Sequence, residues 1–452
     1  LSLHDALPIY TDFAQADVDR QVNNISRFSV FFPERRQFFL ENASLFSAGL
    51  APINQVLGGS MYIQPFFSRT IGLDANVNPI AITAGSRMVY RSEQRNLGGI
   101  FMRQGEGDGD PFTNFYVGRY SENVGSQNRI GAIVTSKQSP SKQQSTAALD
   151  AFIRFNQKLS FSGMATMTQD SRANLNGFAA YGQLLYTTNL YTAYWTNTWV
   201  TENYNPAMGF VSRTNITSNA LGIDLNVRKA WMPSWIRSWE PGVYTEFYHS
   251  LKTGKLIEQH ILSGPLWFNL QNGGILGGYI EASVQNLEDN FTPVGIAIKP
   301  GYYEYLSQGF LLASDPSSKY SGSFEYGWGS YYNGFLHTMD AKGRLAPIPF
   351  INLGLTWSRN IFENMGIRQE NKTVDLLILE SRLALSPRLQ WIGFYQKNTT
   401  DQLYALNMRL AWEYQPLSYV YLVFNASDYQ GTDKKTQKQQ SFLAKLSFLK
   451  QF

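Results

Sequence analysis

The densest group of chemically capable residues lies near the start of the chain, where charged side chains stand next to aromatic ones. The segment FFPERRQFFLE occupies residues 31–41, and FFSRTIG follows at residues 66–72. Their charged members are Glu34, Arg35, Arg36, Glu41 and Arg69. Such a cluster could bind a polar solute such as a saccharide, with the neighbouring rings stacking on it. The alternative is a structural network of ion pairs that fastens this segment to the rest of the fold.

The histidines give little support to an enzyme. The chain has no cysteine, and its histidines are His4, His249, His260 and His337. They show no HExxH spacing, and no GxSxG motif marks a serine nucleophile. Members of a catalytic triad need only meet in space. Two conceivable pairs are His249 with Glu246 and His337 with Asp340. We predict no catalytic residue, no metal site and no cofactor.

The composition indicates an all-β protein. The chain has 452 residues, with 30 Phe, 26 Tyr and 10 Trp, and only 16% of its residues are charged, against about 25% in an average soluble domain. Its 38 basic and 34 acidic residues nearly balance, and the net charge of +4 is too small to favour nucleic acid as a partner. The longest uncharged stretches, residues 173–201 and 261–280, are too rich in polar residues or in Gly and Pro for a membrane-spanning helix.

Long segments alternate apolar and polar residues with a period of two. In residues 402–414 the even positions from 404 onwards are apolar or aromatic, and the odd positions include Asn407, Arg409 and Glu413. The same alternation recurs over residues 147–156, 221–228 and 276–284. Alternation over 8 to 13 residues exceeds the usual 5–6-residue strand of a soluble sandwich. It is typical of strands that cross a membrane with one face towards lipid.

Turn signals predict how these strands are connected. Short turns at Ser386-Pro387 and Gln415-Pro416 alternate with long polar connections at residues 360–372 and 428–440 and with a modest one at 398–402. Outer-membrane barrels have short periplasmic turns and longer extracellular loops. The final segment alternates up to Phe452, which fits either a barrel assembly signal or an ordinary amphipathic strand. We therefore predict an all-β fold, a large antiparallel transmembrane β-barrel of roughly 18–22 strands.

The chain divides into three predicted parts. Residues 1–9 read as a sequencing artefact, residues 10–73 as an N-terminal region acting as a plug, a lid or a linker, and residues 74–452 as the barrel. The charged N-terminal cluster belongs in the lumen or the periplasm, because a charge facing lipid costs about 2–4 kcal/mol at mid-depth. Other charges predicted to face the lumen, where they would tune selectivity or pair across strands, are Asp150, Arg154, Asp224, Arg228, Glu281, Arg409 and Glu413.

The opening motif also resembles a known family. FFPERRQFFLE, the following SLF and FFSRTIG are similar to the start of domain-of-unknown-function family 5916, an uncharacterised outer-membrane β-barrel domain of Gram-negative bacteria. Weaker similarity lies in FYVGRY at residues 115–120, in Asn205-Pro206 with Gly209-Phe210, and in the terminal KLSFLKQF. In this family the barrel usually follows a periplasmic carbohydrate-binding module of the family-nine type, which is missing from this chain.

The resemblance implies a location more firmly than a reaction. It implies the bacterial outer membrane, lipid as a partner, and a role in transport or surface handling of a polymer such as a glycan. One alternative is an outer-membrane hydrolase with its site in the extracellular loops. The other is a soluble secreted β protein that binds carbohydrate.

Overall fold

A computed structural model describes most of the chain. It covers residues 25, 27, 34, 36–49, 63–74, 80–400, 403–416, 418–430 and 436–448. Arg35, Phe452 and residues 1–9, which carried predictions, lie outside this described part. Within it, no helix combines the length and the apolar character needed to cross a membrane.

The described residues form two one-turn helices and twenty-four strands. The helices are α1 (Gln37–Leu40) and α2 (Ala43–Phe46), and single 3-10 turns lie at Ser68–Thr70 and Pro293–Gly295. The first twelve strands are β1 (Ile63–Gln64), β2 (Ile82–Arg91), β3 (Arg95–Gln104), β4 (Thr113–Val124), β5 (Asn128–Gln138), β6 (Gln143–Arg154), β7 (Leu159–Asp170), β8 (Leu175–Thr187), β9 (Tyr191–Val200), β10 (Phe210–Val211), β11 (Ile216–Leu225) and β12 (Ile236–Trp239). The others are β13 (Gly242–Ser250), β14 (Leu256–Leu270), β15 (Ile275–Leu287), β16 (Gly301–Ala313), β17 (Tyr320–Tyr331), β18 (Gly334–Leu345), β19 (Ile351–Met365), β20 (Glu370–Ser386), β21 (Leu389–Asn398), β22 (Leu403–Gln415), β23 (Ser418–Gln430) and β24 (Thr436–Ser447).

The strands form one antiparallel meander in chain order. Pairing runs from β2 with β3 to β23 with β24 among the described residues. β10 leaves this order to pair with β1, so β9 pairs directly with β11. The short β12 extends the edge of β13 along β14. The prediction of an all-β antiparallel fold is confirmed.

The two faces of the sheet have opposite character, as the alternation predicted. On β22, Tyr404, Met408 and Trp412 are 41%, 38% and 51% exposed, whereas the intervening Ala405 and Asn407 are buried. We call the exposed apolar face the outer face and the other one the inner face. The inner face carries buried hydroxyl, amide and charged side chains on most strands.

The described N-terminal residues from 25 to 74, which we call the inner segment, pack against the inner face. Arg119 on β4 donates from Nε to the Leu45 carbonyl at 3.3 Å, and Arg27 reaches Glu258 on β14 at 3.2 Å. The Tyr331 hydroxyl on β17 donates to the Ile25 carbonyl. Because β4, β14 and β17 are far apart along the meander, the sheet must curve around the segment.

Apolar packing secures part of this segment. Phe38, Phe39, Leu45 and Phe46 are buried in one core with inner-face residues of β2 to β9. Gly98 on β3 has no side chain, and a Cβ there would lie 2.7 Å from the Phe46 ring. A second core lies beneath the connection 288–300 and includes buried residues of β15, β18, β19 and β20.

Three of the four longest connections lie at one end of the sheet, and the fourth, residues 226–241, lies at the other. Strand direction alternates along the meander, so residues 105–112, 201–215 and 288–300 share the end that we call the loop end. The turns at 387–388 and at Pro416 lie at the opposite end, the turn end. The predicted long loop at 360–372 was wrong, because β19 and β20 extend the hairpin and leave only residues 366–369 between them.

Candidate functional site

The predicted charged cluster near the N-terminus is partly assembled by the structure. Arg36 Nη2 lies 2.7 Å from Glu34 Oε2, and Ser68 donates its hydroxyl to the same oxygen at 2.6 Å. Arg36 also donates to the Ile71 and Ser68 carbonyls at 2.8 and 2.7 Å. Arg36 is only 9% exposed, and its guanidinium is surrounded by these acceptors. This arrangement ties residues 34–36 to the turn at 68–71.

The pKa of Glu34 reflects its partners. Burial acts to raise this pKa, but the hydrogen bonds and charge of Arg36, together with the Ser68 hydroxyl, outweigh burial and lower it below the ordinary 4.5. The ionised carboxylate is therefore the form that the fold stabilises.

Glu41 lies in a separate contact. Arg87 on β2 donates to the Glu41 carboxylate at 2.8 Å and to its carbonyl at 2.9 Å. The Arg87 guanidinium also lies 5.0 Å from the centre of the Phe38 ring. Arg69 lies in the middle of the 3-10 turn Ser68–Thr70, and burial lowers its pKa. These contacts correspond to the structural ion-pair alternative.

A second polar cluster, which the sequence did not reveal, lies on the inner face of β14 and β15. Glu258 is 1% exposed in its side chain and binds Arg213 Nη1 at 2.7 Å through Oε2. Arg27 of the inner segment approaches the same oxygen at 3.2 Å, while His260 Nε2 lies 2.6 Å from Oε1. We call this group, with Glu281 and Ser283, the buried cluster.

In the buried cluster, an imidazole, a hydroxyl and a carboxylate are joined in that order by hydrogen bonds. His260 Nδ1 lies 2.9 Å from Ser283 Oγ, which donates to Glu281 Oε1 at 3.0 Å. Because the Ser283 hydroxyl is already engaged and the residue is 3% exposed, this geometry serves a structural network better than nucleophilic attack.

The two histidine pairs considered from the sequence do not form. His249 and Glu246 are three residues apart in β13, and an odd spacing places side chains on opposite faces of a strand. The same holds for His337 and Asp340 in β18. His337 instead lies 2.8 Å from the Tyr326 hydroxyl.

A signal for the buried cluster did exist in the sequence. Glu258 and His260 are two residues apart, as are Glu281 and Ser283, so each pair shares one strand face. The missing information was the pairing of β14 with β15, which places His260 opposite Ser283.

A cavity of about 670 Å³ opens on the inner face near the turn end. It is bounded by residues of β9, β11 and β13 to β17. We call it the interior cavity. Its aromatic and acidic lining residues on the inner face are Tyr244, Trp267, Tyr279, Asp224, Glu240, Glu281 and Glu325. A neighbouring cavity of about 250 Å³ shares Tyr279 and Glu281 and reaches the buried cluster.

A local irregularity in β14 positions the indole of this cavity. The pairing with β15 shifts between Ser263 and Leu266, around Pro265. Such a bulge turns the following side chains to the other face. Leu266 is therefore exposed while Trp267 lies over Gly277, where a Cβ would be 2.6 Å from the indole.

Metal binding finds no support in the described residues. In that part of the chain, no group of three or more His, Asp and Glu side chains is arranged to hold an ion.

The comparison with known families concerns the start of the chain. The family model of a domain of unknown function, DUF5916, matches residues 5–59. This match confirms the family resemblance that the opening motif predicted. Its range begins within residues 1–9, and it ends before β1. The chain has no match among curated proteins.

Proposed function

We propose that the chain is an outer-membrane β-barrel domain of a Gram-negative bacterium, with the inner segment held in its lumen. The observation that carries the proposal is the inverted polarity of the sheet. Leu149, Met88 and Leu446 are 67%, 67% and 70% exposed, whereas Arg87, Asp150 and Glu258 are buried on the opposite face. A water-soluble sheet protein buries its apolar face, but a transmembrane barrel turns that face towards lipid.

The dimensions of the strands and the positions of the rings support this proposal. Most strands of the meander contain 10 to 17 residues, and about 9–11 tilted residues span a bilayer. Tyr404 and Trp412 are exposed near the two ends of β22. Rings at both interfaces are typical of outer-membrane barrels.

We further propose that the domain handles a polymer or other polar solute, such as a glycan, at the cell surface or across the membrane. The inner face offers polar walls and a cavity of suitable size for a ligand, about 670 Å³. The inner segment fills part of the interior, which favours a gated passage over an open pore. The upstream carbohydrate-binding module stays a prediction from the family resemblance.

A charge placed on the outer face tests the membrane location. Leu149 is at the centre of β6, so Leu149→Arg should lower the stability of a membrane-inserted barrel by about 2–4 kcal/mol. In a soluble protein, the same change at an exposed position would cost at most about 0.5 kcal/mol. Denaturant unfolding in bilayers, followed by the heat-modifiable shift on a detergent gel, measures the difference.

Ser126→Arg provides the control, because Ser126 lies in the exposed turn between β4 and β5. We expect it to be neutral. Recovery of the wild-type protein in the aqueous fraction without detergent, or a neutral Leu149→Arg, would exclude the barrel and favour the soluble carbohydrate-binding alternative.

A further inference from the structure

We propose that the interior cavity binds a cationic organic group, an ammonium or guanidinium carried by the solute or polymer that the protein handles. The inference rests on the proposed function for its setting and deepens it by naming the solute class. The volume of the cavity does not by itself identify a ligand. The choice comes from the charges and rings of the cavity wall.

The carboxylates of the cavity differ from other acidic groups on the inner face. Two of those, Asp150 and Glu258, are each paired with an arginine, Arg119 and Arg213 respectively. Among the described residues, no Lys or Arg forms a salt bridge with the four cavity carboxylates or lines the cavity. These four are Asp224, Glu240, Glu281 and Glu325.

Their hydrogen-bond partners leave that negative charge in place. Tyr279 donates its hydroxyl to Glu325 at 3.0 Å, and Ser238 donates to Glu240 at 2.7 Å. Tyr244 donates to Asp224. Neutral donors orient a carboxylate without supplying a counter-charge. Glu281 has one basic neighbour, His260, whose Nδ1 lies 3.3 Å from Glu281 Oε1.

Three rings complete the recognition surface. Tyr244, Trp267 and Tyr279 line the same cavity as the carboxylates. Aromatic faces attract organic cations through the ring quadrupole, and Trp does so most strongly. The bulge in β14 brings Trp267 to this wall. A metal ion would use the carboxylates but not the rings, and a neutral saccharide would use the rings but gain nothing from uncompensated negative charge.

Calorimetric titration of the full chain, refolded in detergent micelles and shown to be heat-modifiable, tests the inference. The probes are choline, its uncharged isostere 3,3-dimethyl-1-butanol, maltose and Ca²⁺. We expect choline to bind at least about tenfold more tightly than the isostere. Tight binding of maltose or Ca²⁺ without choline binding, or equal binding of choline and the isostere, would overturn the inference.

Two variants connect the binding to the cavity. Glu325→Gln keeps the shape of the side chain and removes its charge, and Trp267→Leu removes the ring. Each should weaken choline binding about tenfold. Glu106→Gln changes an exposed carboxylate in the connection 105–112 and should leave the affinity unchanged. If Trp267→Leu does not refold, Glu325→Gln decides the result alone.

The outcomes separate this inference from the proposed function. If the protein is heat-modifiable but does not bind choline, the cation site is refuted and the barrel is not. The same holds if Glu325→Gln does not change the affinity for choline. Protein that stays soluble without detergent refutes the barrel, whatever it binds.

Discussion

At the scale of single residues, arginine holds the inner segment in place. Arg36 joins Glu34 to two carbonyls of the turn at 68–71, and Arg87 joins the helix region to β2. A guanidinium can satisfy several carbonyl and carboxylate acceptors at once because its five N–H donors form a rigid fork. Lysine, which offers a compact point charge, would not replace either residue.

The pKa of Glu34 predicts an acid-sensitive attachment. This pKa is lowered from 4.5, so the ionised carboxylate stabilises the fold fully above pH 4.5. The contribution is lost as the pH falls through the lowered value. We expect the Arg36 amide, which donates to Glu34 Oε1 at 2.9 Å, to lose hydrogen-exchange protection below pH 4.5, after correction for the intrinsic rate.

Glu34→Gln is the matched variant for this prediction. It should reduce protection at neutral pH by about 1–3 kcal/mol and remove the acid dependence below pH 4.5. An unchanged pH profile in Glu34→Gln would show that another group controls the attachment.

At the scale of elements, the bulge of β14 and the glycine opposite it form one unit. Gly277→Ala would place a Cβ 2.6 Å from Trp267 Cζ3, so the indole must leave its position. We expect a loss of about 1–3 kcal/mol in stability and a red shift in Trp emission, both measurable during denaturant unfolding. Gly343→Ala in β18 is the control, because nothing lies within 4 Å of its Cβ position. Equal effects of the two changes would refute the role of Gly277.

Sequence patterns predicted the strands better than their irregularities. Period-two alternation identified which residues of β6, β11, β15 and β22 face outwards, since that property is local. The bulge of β14 depends on its pairing with β15, and the pairing of β1 with β10 joins residues about 150 apart in the chain. Neither leaves a local pattern. The buried cluster was missed for the same reason, whereas the N-terminal charged cluster was found because its members are close in sequence.

At the scale of the whole molecule, the proposed barrel has two parts: the sheet, which forms its wall, and the inner segment, which forms its filling. The segment contacts β2, β4, β14 and β17 through hydrogen bonds and packs apolar side chains against β2 to β9. The strands of the meander, in contrast, are held by pairing with one another. Displacement of the segment would therefore leave the wall intact. The proposed passage can open without unfolding the sheet.

Arg87→Met tests whether the inner segment can be displaced while the sheet stays folded. It removes three hydrogen bonds that tie the segment to β2, so opening events in planar bilayers should become at least about tenfold more frequent. Arg95→Met, which breaks an exposed pair with Glu122, should leave the conductance unchanged. If Arg87→Met is normally heat-modifiable but does not open more often than the wild type, the segment is not the gate.

The meander and the inner segment also differ in how they can fold. Almost every strand pairs with its neighbour in the chain, so successive hairpins close short loops at small entropic cost and can form one after another. The bond from Arg27 to Glu258 closes 231 residues, and that from Tyr331 to Ile25 closes 306. These contacts can form only after most of the chain has folded. Docking of Ile25 and Arg27 is therefore expected as a late, separate kinetic phase, and a pull on the N-terminus would undo it first.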